Sequence, residues 1–256
     1  MVAFYPDCLH FRDKRRGRQP ESGSMTTTTA EVAAECLGVK VPASQFLHDG
    51  RIERINAAKY EGQEIEGALK VVREGDVVLE IGAGIGLGGA VIAANAKPAK
   101  VASYEANPDL IPVIQALYDL NGLNGRISVT NAVLISAEDR PKTLPFYLRN
   151  SYLGSSLTDP GEDRTRATVD VPTAGFAETC ADLNPTVLVM DIEGGEQELL
   201  RHADLSGFRA VVLEFHPKAY GVEGMQECKA ILRKAGFQRI DEVSTRTVWA
   251  CARPEG

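Results

Sequence analysis

The chain has 256 residues, 44% hydrophobic and 25% charged, with a formal net charge of -7. That length suits one α/β domain with a small extension. No apolar run reaches the ~18 residues of a membrane span. The acidic balance argues against nucleic acid as a partner, because such binders carry basic faces. Cys8, Cys36, Cys180, Cys228 and Cys251 are odd in number and contain no Cys-x-x-Cys pair. They read as reduced thiols of a cytoplasmic protein rather than a disulfide frame or a zinc site.

Residues 1–29 open with a basic run, Arg12 to Arg18, and end in Thr26 to Thr29. With no apolar face to bury, they are expected to form a disordered, solvated tail. Residues 30–75 are expected to form a helical and extended lid segment. Within it, residues 30–40 suit a short helix stopped near Gly38, and 41–55 read as mixed extended chain. Ile65, Leu69 and Val72 then mark an amphipathic helix.

Residues 76–256 alternate strands and helices, the pattern of a doubly wound, mostly parallel sheet. Val77 to Ile81 is the first core strand, and its helix runs to about Ala96. Lys100 to Glu105 is the second strand. Asn107 caps a helix with Pro108 at its first position, and Ile127 to Val133 is the third strand. From 134 to 185 the alternation breaks. Thr143 to Leu148 and Ala167 to Val171 read as short strands around Gly154-Ser155-Ser156-Leu157, so this stretch is expected to be an insertion over the ligand edge of the sheet. Thr186 to Asp191 and Ala210 to His216 are buried strands, and Met225 to Lys234 is a helix. Phe237 to Val243 and Thr245 to Cys251 close the chain as an antiparallel β pair.

The stretch Val77 to Gly86 is a strand ending in an acid, followed by glycines at 82, 84 and 86 and then a small-residue helix. Such a unit binds nucleotide-like ligands at the helix N-terminus. Two frames overlap. Gly84-Ile85-Gly86-Leu87-Gly88-Gly89 fits the dinucleotide pattern, which would make the chain an NAD-dependent oxidoreductase. Glu80-x-Gly82-x-Gly84-x-Gly86 fits the loop of S-adenosylmethionine-dependent methyltransferases. Both frames expect an acid at the end of the second strand to take the ribose hydroxyls, and Glu105 stands there. The late first strand and the antiparallel C-terminal pair favour the methyl donor. A non-catalytic ligand-binding domain is the remaining alternative.

Val187 to Glu196, with the run Asp191-Ile192-Glu193-Gly194-Gly195-Glu196, followed by Glu198-Leu199-Leu200, resembles the FkbM-type methyltransferase family. Tyr60-Glu61, Glu80 to Gly86, Tyr104 to Pro108, Asn131 to Val133, Gly154 to Leu157 and Val211 to Glu214 fall in that family's order. The resemblance covers about residues 47 to 250. It implies a class I, seven-stranded methyltransferase fold and an O-methyltransferase acting on a hydroxyl of a sugar or secondary metabolite. The expected partner is thus a small molecule, with neither nucleic acid nor membrane, and a homo-oligomer is left open.

Methyl transfer from a sulfonium is an in-line displacement, so the protein mainly supplies alignment. An alcohol acceptor must also lose a proton. The catalytic candidates lie at the carboxyl ends of the later strands: Asp191, Glu193, Glu214 and His216. Glu196 reads instead as an acid that favours a helix N-terminus. The cofactor-binding candidates are Tyr60, Glu80, Gly82, Gly84, Gly86, Glu105, Ala106, Asn107, Asn131, Ala132 and again Asp191. The four catalytic candidates could also hold magnesium, but they do not have a recognised ligand spacing and metal is not the favoured reading.

Overall fold

The computed structural model describes residues 31–149, 155, 157 and 165–254. The expected tail and the residues Gly154 and Ser156 lie outside the described residues.

The chain enters as an antiparallel hairpin of β1 (Val32–Cys36) and β2 (Val39–Pro42). The helix expected over 30–40 is therefore corrected to a hairpin. Ala34, Cys36, Val39 and Val41 are buried, and Leu37 and Gly38 both take positive φ in the turn. That geometry matches the twist of a two-residue hairpin. The 41–55 region, expected to be extended, ends in α1 (Asp49–Asn56), capped by the His48 side chain accepting from the Arg51 N–H. α2 (Gly62–Val71) packs on the main sheet, burying Ile65, Ala68 and Val71.

The main sheet has seven strands. β3 (Val77–Ile81), β4 (Lys100–Glu105) and β5 (Ile127–Asn131) form one half, with α3 (Leu87–Asn95) and α4 (Ile111–Leu120) as their crossovers. The third strand ends at Asn131, and β6 (Val133–Ile135) leaves for a separate three-stranded sheet with β7 (Thr143–Leu148) and β8 (Ala167–Gly175). α5 (Phe176–Leu183) returns the chain to β9 (Val187–Met190). α6 (Glu196–His202), β10 (Ala210–Glu214) and α7 (Pro217–Lys234) follow, α7 being broken by a non-helical Gly221. β11 (Gln238–Arg239) and β12 (Val248–Ala252) close the chain. The order is β11-β12-β10-β9-β3-β4-β5, and β12 alone runs antiparallel to its neighbours. The fold is the α/β Rossmann-like methyltransferase architecture.

Period-two alternation builds both faces. Val78, Val187, Ala210 and Val212 point to the side covered by α2, α3 and α4. Leu79, Ile81, Leu188, Met190, Val211 and Leu213 point to the side covered by α5, α6 and α7. Asp76, at the lower edge, ties the strand starts together. It accepts from Arg209 Nε at 3.0 Å, Thr186 Oγ1 at 2.8 Å and the Arg73 N–H at 2.6 Å.

The order reverses between β3 and β9, which opens a crevice at their carboxyl ends. The three-stranded sheet lies beside that crevice, with Phe146 lining the pocket and Leu148 and Val171 packed behind it with Ala106.

Candidate active site

The glycine loop is shaped first by the protein itself. Gly82 has φ +89, and a Cβ there would lie 1.7 Å from the Asp191 carbonyl oxygen. β3 and β9 pair as far as Ile81 and Met190, so their exits touch backbone to backbone. Gly86, at φ +84, is the N-cap of α3 and would press a Cβ into Ile114 of α4. Gly82 and Gly84 line the pocket, whereas Gly86, expected to lie against the ligand, packs on α4.

Glu105 joins this loop to the end of β4. Its Oε2 accepts from the Gly84 N–H at 2.9 Å and its Oε1 from the Asn107 N–H at 2.7 Å. Burial raises its carboxyl to about 7, against those backbone hydrogen bonds. It still lines the pocket. Asn131 donates to the carbonyls of Glu105 and Ala106 at 2.8 and 3.0 Å, so it clamps the β4 exit rather than lining the pocket. Ala106 and Ala132 do line it.

Asn107 does not line the pocket. It is 3% exposed, outside the lining, and its Oδ1 accepts from the Asp109 N–H in a local turn. Its helix starts only at Ile111. Tyr60 is likewise not a lining residue. It is buried in the core and hydrogen-bonds the Glu61 carboxyl. Glu61, in a left-handed conformation at the start of α2, is the residue that reaches the pocket, and sequence reasoning passed over it. Burial raises its carboxyl to about 8 despite the Tyr60 bond, with Glu80, Glu64 and Glu214 adding to the rise. Glu80 sits beneath α3, accepting from the Ser103 hydroxyl and the Gly89 N–H, and burial raises it to about 7.

The main pocket encloses about 1080 Å³, mouth included. Its walls are mostly apolar, with Ile81, Leu110, Leu134, Phe146 and Leu199. Its charged lining is Glu61, Glu105, Asp191, Glu193 and Glu198, with neither lysine nor arginine among its described lining residues. A smaller cavity shares Glu61 and Asp191 with it and adds Glu64 and Glu80. Such a site favours a ligand with an apolar ring and cationic groups, such as a sulfonium and an ammonium.

The four catalytic candidates converge. Asp191 and Glu193 follow β9, while Glu214 ends β10 and His216 follows it; β9 and β10 are register neighbours. His216 Nε2 lies 3.5 Å from Asp191 Oδ1, 3.6 Å from Glu193 Oε2 and 3.9 Å from Glu214 Oε2. Its Nδ1 meets Glu196 Oε1 at 2.6 Å. Burial alone would lower the imidazole. The Glu196 bond and the charges of Glu196, Asp191 and Glu193 instead raise it to about 9. Asp191 is driven well above the usual carboxylate range by burial and by Glu214. Glu214 rises to about 7 through burial and its neighbour Glu64. Glu193 is raised by burial too, and has a positive φ of 46. Glu196, read as a helix-end acid, is completely buried behind His216.

Over residues 50–139 the sequence matches the family of TRM5/TYW2 methyltransferase domains. The match covers β3, β4 and β5, the half of the sheet that carries the glycine loop and Glu105. Among curated proteins none matches this sequence. Solved structures similar to this chain include a protein of the NADB-Rossmann superfamily from Streptococcus agalactiae. It is 12% identical, with TM-score 0.43 over 74% of this chain and 65% of that one. Precorrin-6y C5,15-methyltransferase from Geobacter metallireducens is 12% identical, with TM-score 0.47 over 87% of this chain and 98% of that one. M. capricolum TrmK, in complex with S-adenosyl-homocysteine, is 10% identical, with TM-score 0.41 over 73% of this chain and 65% of that one. The chain thus spans just under two thirds of the first and third of these proteins. Among the described residues, no helix is long and apolar enough to cross a membrane.

Proposed function

We propose that the chain transfers the methyl group of S-adenosylmethionine to a hydroxyl of a small molecule, a sugar or secondary metabolite, as an FkbM-type methyltransferase. The observation that carries this reading is the convergence of Asp191, Glu193, Glu214 and His216 at the carboxyl ends of β9 and β10, next to the cofactor pocket. A hydroxyl attacking a sulfonium must shed its proton, and this group can accept one. Glu105 with Gly82 and Gly84 would hold the ribose side, and Glu61 with Glu80 the amino end of the methionine. The carboxylate-lined pocket disfavours an acceptor that brings phosphates.

A second reading, an acceptor of the kind that TRM5/TYW2 methyltransferases use, is favoured by the family match. That match ends at residue 139, before β9, so it spans the cofactor half and not the acceptor half. Transfer of labelled methyl from S-adenosylmethionine to a panel of hydroxylated small molecules, with tRNA alongside, tests the choice. Labelling of a small-molecule hydroxyl is expected. Labelling of tRNA alone overturns the proposal, and thermal stabilisation by NADH but not S-adenosylhomocysteine overturns the cofactor as well.

A further inference from the structure

We infer that Ser103 and Tyr118 are positioning residues for the cofactor. A buried relay from the phenol through the serine hydroxyl holds Glu80 so that its second oxygen faces the smaller cavity and, with Glu61, receives the ammonium of the methionine end. The role rests on the methyltransferase reading of the site and goes beyond it in naming what sets Glu80.

Glu80 and Ser103 are partners in the β3–β4 register, so their side chains leave the sheet on the same face. That face is otherwise apolar, with Val78, Val101, Ile114 and Leu117 buried around it. An acid placed there is costly unless its oxygens are partnered. The Ser103 hydroxyl donates to Glu80 Oε2, and the Tyr118 hydroxyl donates to Ser103 Oγ at 3.3 Å. All three side chains are buried. Burial and the charge of Glu80 raise the Tyr118 phenol well above its usual range, so it stays a donor and leaves the serine proton to Glu80. The same ring lies under the glycine loop, with Cε1 3.2 Å from the place of a Cβ on Gly86. The relay therefore links the N-cap of α3 to the acid beneath its first turn.

Gly88 and Gly89 carry the argument from the acid to a ligand. A Cβ on Gly89 would stand 2.9 Å from Glu80 Cδ, so the third glycine of the dinucleotide pattern makes room for this carboxyl. Glu80 also accepts the Gly89 N–H. The helix end that receives phosphate in dinucleotide-binding folds thus already holds an anion of the protein. The place of a Cβ on Gly88 lies 3.2 Å from Glu80 Oε1 and 3.5 Å from Glu61 Oε2. Two carboxyls from different elements converge on one bare stretch of backbone, and all three residues line the smaller cavity. With Oε2 engaged by Ser103, Oε1 is the oxygen turned to that space. Such a pair suits a charged N–H donor.

The test needs no turnover. The full chain is titrated calorimetrically with S-adenosylhomocysteine and with methylthioadenosine, which keeps the nucleoside and thioether but lacks the amino-acid end. The unsubstituted protein should bind S-adenosylhomocysteine at least tenfold more tightly. Ser103→Ala should weaken S-adenosylhomocysteine about tenfold and Tyr118→Phe about fivefold, with methylthioadenosine kept within about twofold. In a Glu80→Gln background neither change should weaken it further, because both act through Glu80. Equal affinity for the two ligands in the unsubstituted protein overturns the receptor. Equal losses for both ligands in the variants, or losses that add to that of Glu80→Gln, mean a packing defect and overturn the relay. Thermal melting checks that each variant folds; if one does not, the other variant and the ligand ratio of the unsubstituted protein decide. Binding of neither ligand overturns the methyltransferase reading itself, whereas binding of both without the ratio or the coupling overturns only the relay.

Discussion

The Gly84 amide and the Glu105 carboxylate are 2.9 Å apart, and this bond ties the glycine loop after β3 to the exit of β4. The acid that should hold the ribose therefore also sets the loop that lies beside it. Its second oxygen is engaged by the Asn107 N–H. Glu105→Gln places an amide donor against one of two backbone donors, so it should harm both roles. We expect S-adenosylhomocysteine affinity to fall roughly 10- to 100-fold, or about 1.4–2.8 kcal/mol by calorimetric titration. The melting temperature of the free protein should also drop. Unchanged affinity would remove Glu105 from the cofactor site.

Much of this was legible from the chain, for physical reasons. β3, β9 and β10 are apolar on both faces because helices cover both, so their sequences read as continuous runs. Asp191 and Glu105 stand out as acids closing such runs. The β1–β2 hairpin was misread because its Ala and Glu residues are good helix formers. The alternation of buried Ala34, Cys36, Val39 and Val41 was weaker than that propensity, and the Leu37-Gly38 turn decided it. Glu61 and Glu196 could not be assigned locally. The first depends on a left-handed residue at a helix start. The second depends on His216, which arrives from the neighbouring strand.

The buried carboxyls predict an inverted pH response. Glu61 is raised to about 8 and Glu80 and Glu105 to about 7, each by burial first. A raised carboxyl holds its proton in the folded state after the unfolded chain has lost it. Stability is then complete below the unfolded value near 4.5 and is lost as pH rises through 7 to 8. Asp76 and Glu227, which are lowered, have delivered their share by mildly acidic pH and do not offset this fall. Scanning calorimetry of the free protein should therefore show the melting temperature falling from mildly acidic to mildly alkaline pH. Glu80→Gln should flatten the slope. A melting temperature that climbs over that range would contradict the burial of these groups.

Arg209 and Asp76 should be the costliest ion pair to break at the lower edge of the sheet. Asp76 has 9% of its side chain exposed, and Arg209 meets it through Nε at 3.0 Å while also reaching the Val71 carbonyl at 2.7 Å. Arg209→Ala strands a nearly buried carboxylate, and removing one partner of such a pair costs about 3 kcal/mol. Urea unfolding should report that loss. The exposed Lys70–Glu242 pair is the control, since the median surface pair contributes about 0–1 kcal/mol.

The contact of Gly82 with Asp191 gives the sharpest test of the crevice. Two costs apply to Gly82→Ala. The positive φ of 89 is strained for any side chain, by roughly 1–2 kcal/mol. The new methyl would also stand 1.7 Å from the Asp191 carbonyl oxygen, which belongs to backbone and cannot swing aside. Gly125 separates the two, because it has a similar φ of 85 and nothing within 4 Å of its Cβ position. Gly125→Ala should therefore lose only the conformational part and keep full cofactor affinity. Gly82→Ala should force β3 and β9 apart, with a stability loss of about 3 kcal/mol or more and weakened S-adenosylhomocysteine binding. Equal losses in the two variants would mean that the strand exits are not in contact, and the pairing that brings Asp191 to the glycine loop would have to be redrawn.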